Sequence, residues 1–268
     1  MKQSEIFRRL HHAPPILRLP NCWDPASARI FEVAGFPAVA TSSGAVANAL
    51  GTQDGDCLDV STHLAAIARI TAVVSIPVSV DFESGYASDT AKLSRNITRL
   101  AATGAAGYNL EDSRVKGELY SIEEQTERIA AAKAAAPALF LNARTDTYLS
   151  EIGEPASRLE RTKERLTAYL AAGADGIFVP GIADEATITD IARTFRKKPL
   201  NVLAGPATPP VADLEAFGVS RVTLGSWPMR RTMSVLREIA RELQRDGSFG
   251  FMREPMIPYD EMNALFTR

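Results

Sequence analysis

The chain has 268 residues but only two cysteines, Cys22 and Cys57, and three histidines, His11, His12 and His63. Neither cysteine stands in a CxxC or Cys/His spacing, so a thiolate metal centre and a disulfide framework lack support, and a cytoplasmic location is expected. An excess of one charge is missing too: 30 Lys and Arg against 32 Asp and Glu leave a formal net charge of −2. No local basic stripe offsets that balance, which argues against nucleic acid as a partner. No stretch approaches the roughly 18 unbroken apolar residues of a membrane span, and Met1–Leu10 reads as an amphipathic helix without the apolar core of an export signal. No Pro- or Ser-rich linker divides the chain, so residues 1–268 are expected to form a single domain with a C-terminal helical tail.

What is present is a regular alternation. Eight short apolar runs read as strands: Pro15–Leu19, Ala38–Thr41, Val78–Val80, Gly107–Leu110, Leu139–Asn142, Gly176–Val179, Leu200–Leu203 and Arg221–Leu224. Between several of them, apolar residues return at three and four over Asp89–Thr103, Ile122–Ala135, Glu154–Ala172, Asp184–Phe195 and Val211–Phe217, the spacing of amphipathic helices. Strands apolar on both faces and alternating with helices indicate a parallel sheet, because each crossover helix covers a face. Eight such units predict an α/β fold of the (β/α)8 TIM-barrel type. Gly104, Gly173 and Gly218 each fall where a helix should end before the next strand. An open doubly wound sheet would carry a Gly-rich dinucleotide turn after its first strand, where this chain has Asn21–Pro25. Thr232–Asp246 reads as a last charged helix, and the apolar tail Phe251–Arg268 is expected to pack on its own barrel or on a partner subunit.

In such a barrel the chemistry sits at the C-terminal ends of the strands. Three neighbouring runs end there in acids: Asp81 and Glu83 after the third, Glu111 after the fourth, and Asp146, beside Arg144, after the fifth. Asp81 and Glu83 are two apart, so on an extended chain both face the same side, with Glu111 adjacent. Three crowded carboxylates repel unless a hard dication balances them, and oxygen-only ligands favour Mg²⁺ or Mn²⁺ over Zn²⁺. As a guanidinium fork, Arg144 suits a substrate carboxylate, and suits equally the role of counter-ion to Glu111 or Asp146. Ser42, Ser43 and Gly44 offer a hydroxyl and backbone N–H groups to a carboxylate or oxyanion, or a helix cap. No Lys ends a strand, which disfavours a Schiff-base aldolase. Gly205 and Gly225–Ser226 could cradle phosphate in a phosphosugar-binding barrel, and a catalytically silent barrel binding small carboxylates is the non-enzyme alternative.

The runs Trp23–Arg29, Ala34–Ala38, Thr41–Gly44, Asp81–Tyr86, Glu111–Ser113, Asn142–Asp146 and Asn201–Gly205 resemble, in this order, the phosphoenolpyruvate mutase/isocitrate lyase superfamily, over roughly residues 15–235. The resemblance implies an α/β barrel whose eighth helix is commonly exchanged between subunits, hence a homodimer or homotetramer. It also implies a Mg²⁺ site and chemistry on a small 2-oxo acid or enolpyruvate substrate, breaking a C–C or C–P bond. Asp81, Glu83 and Glu111 match the metal-site acids, several of which act through water. Ser42, Ser43 and Gly44 match the segment that holds the substrate's carboxylate and oxyanion, and Asp54 matches the acid after it. Arg144 matches the arginine of the fifth strand and Asn201 the asparagine of the seventh. The loop Ser113–Tyr120, expected to be a lid, lacks the catalytic cysteine of isocitrate and methylisocitrate lyases, which disfavours those two activities. It holds Lys116 but no Asn of the true mutases. No histidine is expected near the site; Tyr86, Tyr120 or a metal-bound water are the candidate proton donors.

Overall fold

The computed structural model describes residues 1–115 and 117–267. Lys116, singled out in the lid loop, lies outside them. Helix α1 (Gln3–Leu10) comes first, then strands β1 (Leu17–Leu19) and β2 (Asn21–Cys22), α2 (Pro25–Val33), β3 (Val39–Thr41), α3 (Ser43–Ala49) and α4 (Val60–Val73). Next are β4 (Val78–Asp81), α5 (Thr90–Ala102), β5 (Gly107–Glu111), the short strands β6 (Ser113–Val115) and β7 (Glu118–Leu119), α6 (Ile122–Ala135) and β8 (Phe140–Arg144). The chain continues through α7 (Pro155–Ala171), β9 (Gly176–Phe178), α8 (Glu185–Thr194), β10 (Leu200–Leu203), α9 (Val211–Ala216), β11 (Arg221–Thr223), α10 (Trp227–Asp246) and α11 (Tyr259–Ala264).

Nine strands pair in the order β1-β11-β10-β9-β8-β5-β4-β3-β2, every pairing parallel. The two ends of that row, β1 and β2, are separated by Pro20 alone, so one extended segment meets β11 on one side and β3 on the other. Proline has no N–H to give a ladder, which splits the segment in two, while its carbonyl still accepts from Ala40 N at 2.9 Å. The result is the expected α/β barrel, nearly closed, and all eight runs read from the sequence carry strands.

Alternate residues point outward and inward. Val80, Tyr108, Leu110 and Leu141 pack with Ile67, Leu93, Ile97 and Ile129 of the surrounding helices. Inside, Phe7 of α1 enters the floor of the barrel among Leu17, Leu19, Ala38, Ala40, Ala106 and Phe140. Gly107 makes room for it: a Cβ there would lie 2.9 Å from Phe7 Cε1 and 2.7 Å from the Phe140 carbonyl oxygen. The helix-ending glycines Gly104, Gly173 and Gly218 all have φ between 87° and 107°, the left-handed geometry that ends a helix without a Cβ clash.

The last helix starts at Trp227 rather than Thr232, because Pro228 sits in its first turn, where a missing N–H costs nothing. Only Met229 of its twenty residues is buried. Met233, Val235, Leu236 and Leu243 are exposed, as are Phe249, Met252, Met256 and Tyr259 of the tail. The tail does touch its own barrel, where Arg29 Nε donates to the Leu265 carbonyl at 2.6 Å, but most of its apolar surface stays uncovered.

Candidate active site at the barrel mouth

Asp81 ends β4 at the C-terminal mouth, and three donors fix its carboxylate. Ser43 gives Oδ2 both its N–H, at 3.2 Å, and its hydroxyl, at 2.9 Å. Asn109 Nδ2 donates to Oδ1 at 3.1 Å. The strand register explains the second contact, since Asp81 lies beside Asn109, and Asn109 beside Asn142. A carboxylate has about four acceptor positions, so one on Oδ1 is left.

Glu83 does not share Asp81's face through extended alternation, as the spacing of two suggested. The strand stops at Asp81 and Glu83 takes φ 49°, a left-handed turn. Its carboxylate is held from the side, by the Tyr86 hydroxyl at 2.6 Å and by the N–H of Asp56. Burial pushes its carboxyl up to about 7 in spite of those two hydrogen bonds. Tyr86 therefore spends its hydroxyl hydrogen on Glu83.

Glu111, Arg144 and Phe178 are register neighbours across β5, β8 and β9, and Asn201 of β10 pairs with Phe178. Arg144 serves three acids at once: Glu111 through Nη1 at 2.8 Å, Asp146 through Nε at 2.6 Å and Nη2 at 2.9 Å, and Asp81 at 3.7 Å. Burial works against its charge, yet Asp146, Glu111 and Asp81 hold its pKa well above the ordinary guanidinium value. Glu111 is raised well above the usual carboxylate range by burial, opposed by Arg144 and reinforced by Asp146, Asp81 and Glu83. The arginine is thus a counter-ion to the acids and also the nearest cation to any ligand above them. Asn201 lies buried and exchanges hydrogen bonds with Thr223 at 3.3 Å.

Ser42 caps α3, its hydroxyl accepting from Ala45 N at 3.4 Å. Among the described residues the N–H of Gly44 has no partner, so the segment keeps a donor for a ligand. Asp54 stands over Gly44: a Cβ on that glycine would lie 2.7 Å from Asp54 Oδ2. Desolvation and the neighbouring Asp81 raise the Asp54 pKa. The phosphate cradle is not formed: Gly205 N donates to Thr208 Oγ1 at 2.9 Å, while Leu224 N and Gly225 N both donate to Asn21 Oδ1. The segment expected to act as a lid begins and ends in the antiparallel pair β6–β7, and Ser113 Oγ donates to Asp146 at 2.7 Å. Tyr120 lies with its ring 4.2 Å under the Arg128 guanidinium.

Three features went unread in the sequence. Asn109 lies inside a strand run and Asn142 ends one and opens the matched run Asn142–Asp146, yet neither is assigned a role there; the period-2 alternation, followed through the strands, marks both as inward-facing. His63, expected far from the site, packs on Phe82 and Tyr86 with centroids 5.8 and 5.3 Å away, because α4 lies behind the acidic turn. Asp112 is wholly buried and bonds Tyr169, Arg165 and Asp146 N, bracing the ends of β5 and β8 from outside the barrel.

Among the described residues no three His, Cys, Asp or Glu side chains converge tightly enough to hold a metal ion alone. The donors nevertheless fit a hydrated divalent ion. Asp81 offers one open acceptor position, and Mg²⁺ typically keeps several waters and binds through one or two carboxylates.

A family profile described as phosphoenolpyruvate phosphomutase matches residues 7–244. The chain belongs to this family, within the phosphoenolpyruvate mutase/isocitrate lyase superfamily. An uncharacterized protein of Mycobacterium tuberculosis H37Rv is 33% identical over 259 residues, covering 96% of this chain and 95% of its own. A Burkholderia cenocepacia J2315 structure with a provisional lyase/mutase name superposes with a TM-score of 0.91 at 34% identity, covering 99% and 96% of the two chains. Phosphonopyruvate hydrolase in complex with oxalate and Mg²⁺ gives a TM-score of 0.87 at 25% identity, covering 99% and 95%. Family members named 2-methylisocitrate lyase, from Bacillus subtilis, and oxaloacetate decarboxylase, from Pseudomonas fluorescens, are 29% and 31% identical to this chain. They span 98% and 82% of it, and 85% and 77% of their own lengths. The phosphonopyruvate hydrolase carries its Mg²⁺ and oxalate in the fold that here places Asp81, Glu111 and Arg144 at one mouth. Among the described residues no helix is long and apolar enough to cross a membrane.

Proposed function

We propose that this chain is a Mg²⁺-dependent lyase or phosphonomutase-like enzyme that breaks a C–C or C–P bond of a small 2-oxo carboxylic acid or enolpyruvate derivative. The observation that carries this reading is the fixed Asp81 carboxylate, with one acceptor position open, beside the Glu111–Arg144 pair. Asp81 would hold the ion directly, and Glu83 and Glu111 through water; Mn²⁺ suits the same oxygen donors. When bound, the dication supplies charge for a substrate carboxylate and keto oxygen and stabilises negative charge that develops as the bond breaks.

The chain's own groups do the rest. Arg144 turns part of its fork from Glu111 to the substrate carboxylate, a bidentate match. The Gly44 N–H and the Ser42 segment meet the developing oxyanion; one such preorganised donor is worth about 3–4 kcal/mol. Asp54, over Gly44, closes that side. The strand pair β6–β7, joined to Asp146 through the Ser113 hydroxyl, would cover the mouth and exclude water. A lid without cysteine supports a chemistry other than isocitrate or methylisocitrate cleavage. The uncovered apolar face of α10 supports exchange of this helix in a homodimer or homotetramer, and the near-neutral charge and cysteine usage support a cytoplasmic enzyme.

Titration calorimetry with oxalate, a stable mimic of the pyruvate enolate, tests the reading. Binding to the wild type is expected only with Mg²⁺, and Asp81→Asn is expected to lose it. Oxalate binding that ignores both the metal and the substitution would overturn the proposal. Binding of 2-oxo acids without turnover across a broad panel would make the chain a carboxylate sensor instead.

A further inference from the structure

Beneath the acidic mouth sits a cation of another kind. Arg221 of β11 is 1% exposed, and its guanidinium lies over the ring of Phe7, 5.8 Å from the centroid. Among the described residues no carboxylate pairs with it, and Nε and Nη1 have no partner. Its one side-chain hydrogen bond among the described residues runs from Nη2 to Asn109 Oδ1, at 3.4 Å. A buried guanidinium spent on a single amide oxygen calls for a reason.

The amide supplies it. Asn109 Oδ1 also accepts from Asn142 Nδ2 at 2.9 Å, and the Asn109 NH₂ faces Asp81 Oδ1 at 3.1 Å. Asn142 by itself cannot fix this direction. If both amides turned over together, Asn142 Oδ1 would accept from Asn109 Nδ2, their mutual bond would survive, and the Asn109 carbonyl would confront the Asp81 carboxylate. Guanidinium is a donor with no acceptor capacity, so a turned Asn109 would set NH₂ against N–H and lose that bond. Only one orientation satisfies every partner.

We propose that Arg221, with Asn142, is a positioning residue that locks the Asn109 amide so that its NH₂ fixes the Asp81 carboxylate for the metal ion. The inference rests on the reading of Asp81 as the ion's anchor. It differs from a packing role in what it demands at position 221, namely a donor that cannot accept, whatever its shape.

The test is Mg²⁺ affinity by calorimetry, with Mn²⁺ binding followed by its electron paramagnetic resonance signal, in the absence of substrate, on the full chain. Arg221→Lys, another pure donor, is expected to keep affinity within about threefold of the wild type. Arg221→Gln and Arg221→Met, which permit or fail to prevent the turn, are expected to weaken it about tenfold or more, the scale of losing a partner that orients a ligand. Thermal midpoints are recorded alongside; affinity that tracks the midpoint instead of donor chemistry overturns the proposal. Where Arg221→Met does not fold, the Lys against Gln contrast decides alone. Unchanged affinity in the Gln variant, with binding still abolished by Asp81→Asn, removes the locking role and leaves the site standing. Affinity insensitive to Asp81→Asn removes both.

Discussion

Two arginines point into the same barrel, and their surroundings could hardly differ more. Arg144 at the mouth answers three carboxylates, whereas Arg221 below it answers one amide oxygen. The first is there because the acids need its charge; the second keeps a charge that nothing neutralises, and burial lowers its pKa to about 9 although Asp81 opposes the shift. Removing one partner of a buried ion pair commonly costs about 3–5 kcal/mol, because the charge left behind is uncompensated, whereas removing a charge that has no ion-pair partner strands nothing and relieves its own desolvation. Arg144→Met is therefore expected to lose about 3–5 kcal/mol in urea unfolding, and Arg221→Met to lose nothing or to gain. Mg²⁺ should recover part of the first loss, because it supplies positive charge to the same acids. Equal destabilisation of the two variants would break the comparison.

A pair of glycines sharpens it at lower amplitude. At the floor, a Cβ on Gly107 meets backbone, the Phe140 carbonyl oxygen at 2.7 Å, and the packed ring of Phe7. At the mouth, a Cβ on Gly44 meets the end of the Asp54 side chain at 2.7 Å. Backbone and core rings yield poorly, so Gly107→Ala is expected to cost about 1–3 kcal/mol as overpacking. Gly44→Ala only displaces a movable carboxylate, so its midpoint should stay close to the wild type while oxalate affinity falls. A Gly44→Ala protein as unstable as Gly107→Ala would show that the mouth is packed like the floor.

The contrast also explains how much could be read in advance. The floor and walls obey simple rules: strand runs apolar on both faces, helices returning at three and four, glycine where each helix ends. All of these were legible, and the barrel followed. At the mouth, residue types were legible and directions were not. Asp81, Glu111 and Arg144 converge because they end neighbouring strands. Glu83 escaped because one left-handed residue cancels the alternation on which its placement relied, and the free N–H groups of Gly205 and Gly225 turned out to serve Thr208 and Asn21. Those partners lie across loops or on distant strands, where no local pattern points to them. Asn109, Asn142 and Arg221 were hidden differently: one sits within a strand run and two at the ends of runs, and their shared role exists only once the strands are side by side.

The smallest expected effect is a titration at the floor. His11 stacks on Phe140 with centroids 4.0 Å apart and bonds the Phe7 carbonyl through Nδ1 at 2.8 Å. Burial lowers its pKa to about 3, and Arg221, His12 and Arg8 push the same way, against the bond to Phe7. The folded protein therefore resists a proton that the unfolded chain takes up near pH 6.5. Between those values the unfolded state binds more protons, so stability rises with pH and is lost as pH falls from about 6.5 toward 3. For this one group the loss between pH 7.5 and 5.5 comes to about 1.4 kcal/mol. His11→Phe keeps a ring on Phe140 and removes the titration, so its urea-unfolding free energy should decline less over that interval. Parallel declines in the variant and the wild type would assign the acid sensitivity to the mouth, where His63 is also held neutral by burial, its pKa lowered to about 4 against the pull of Asp81.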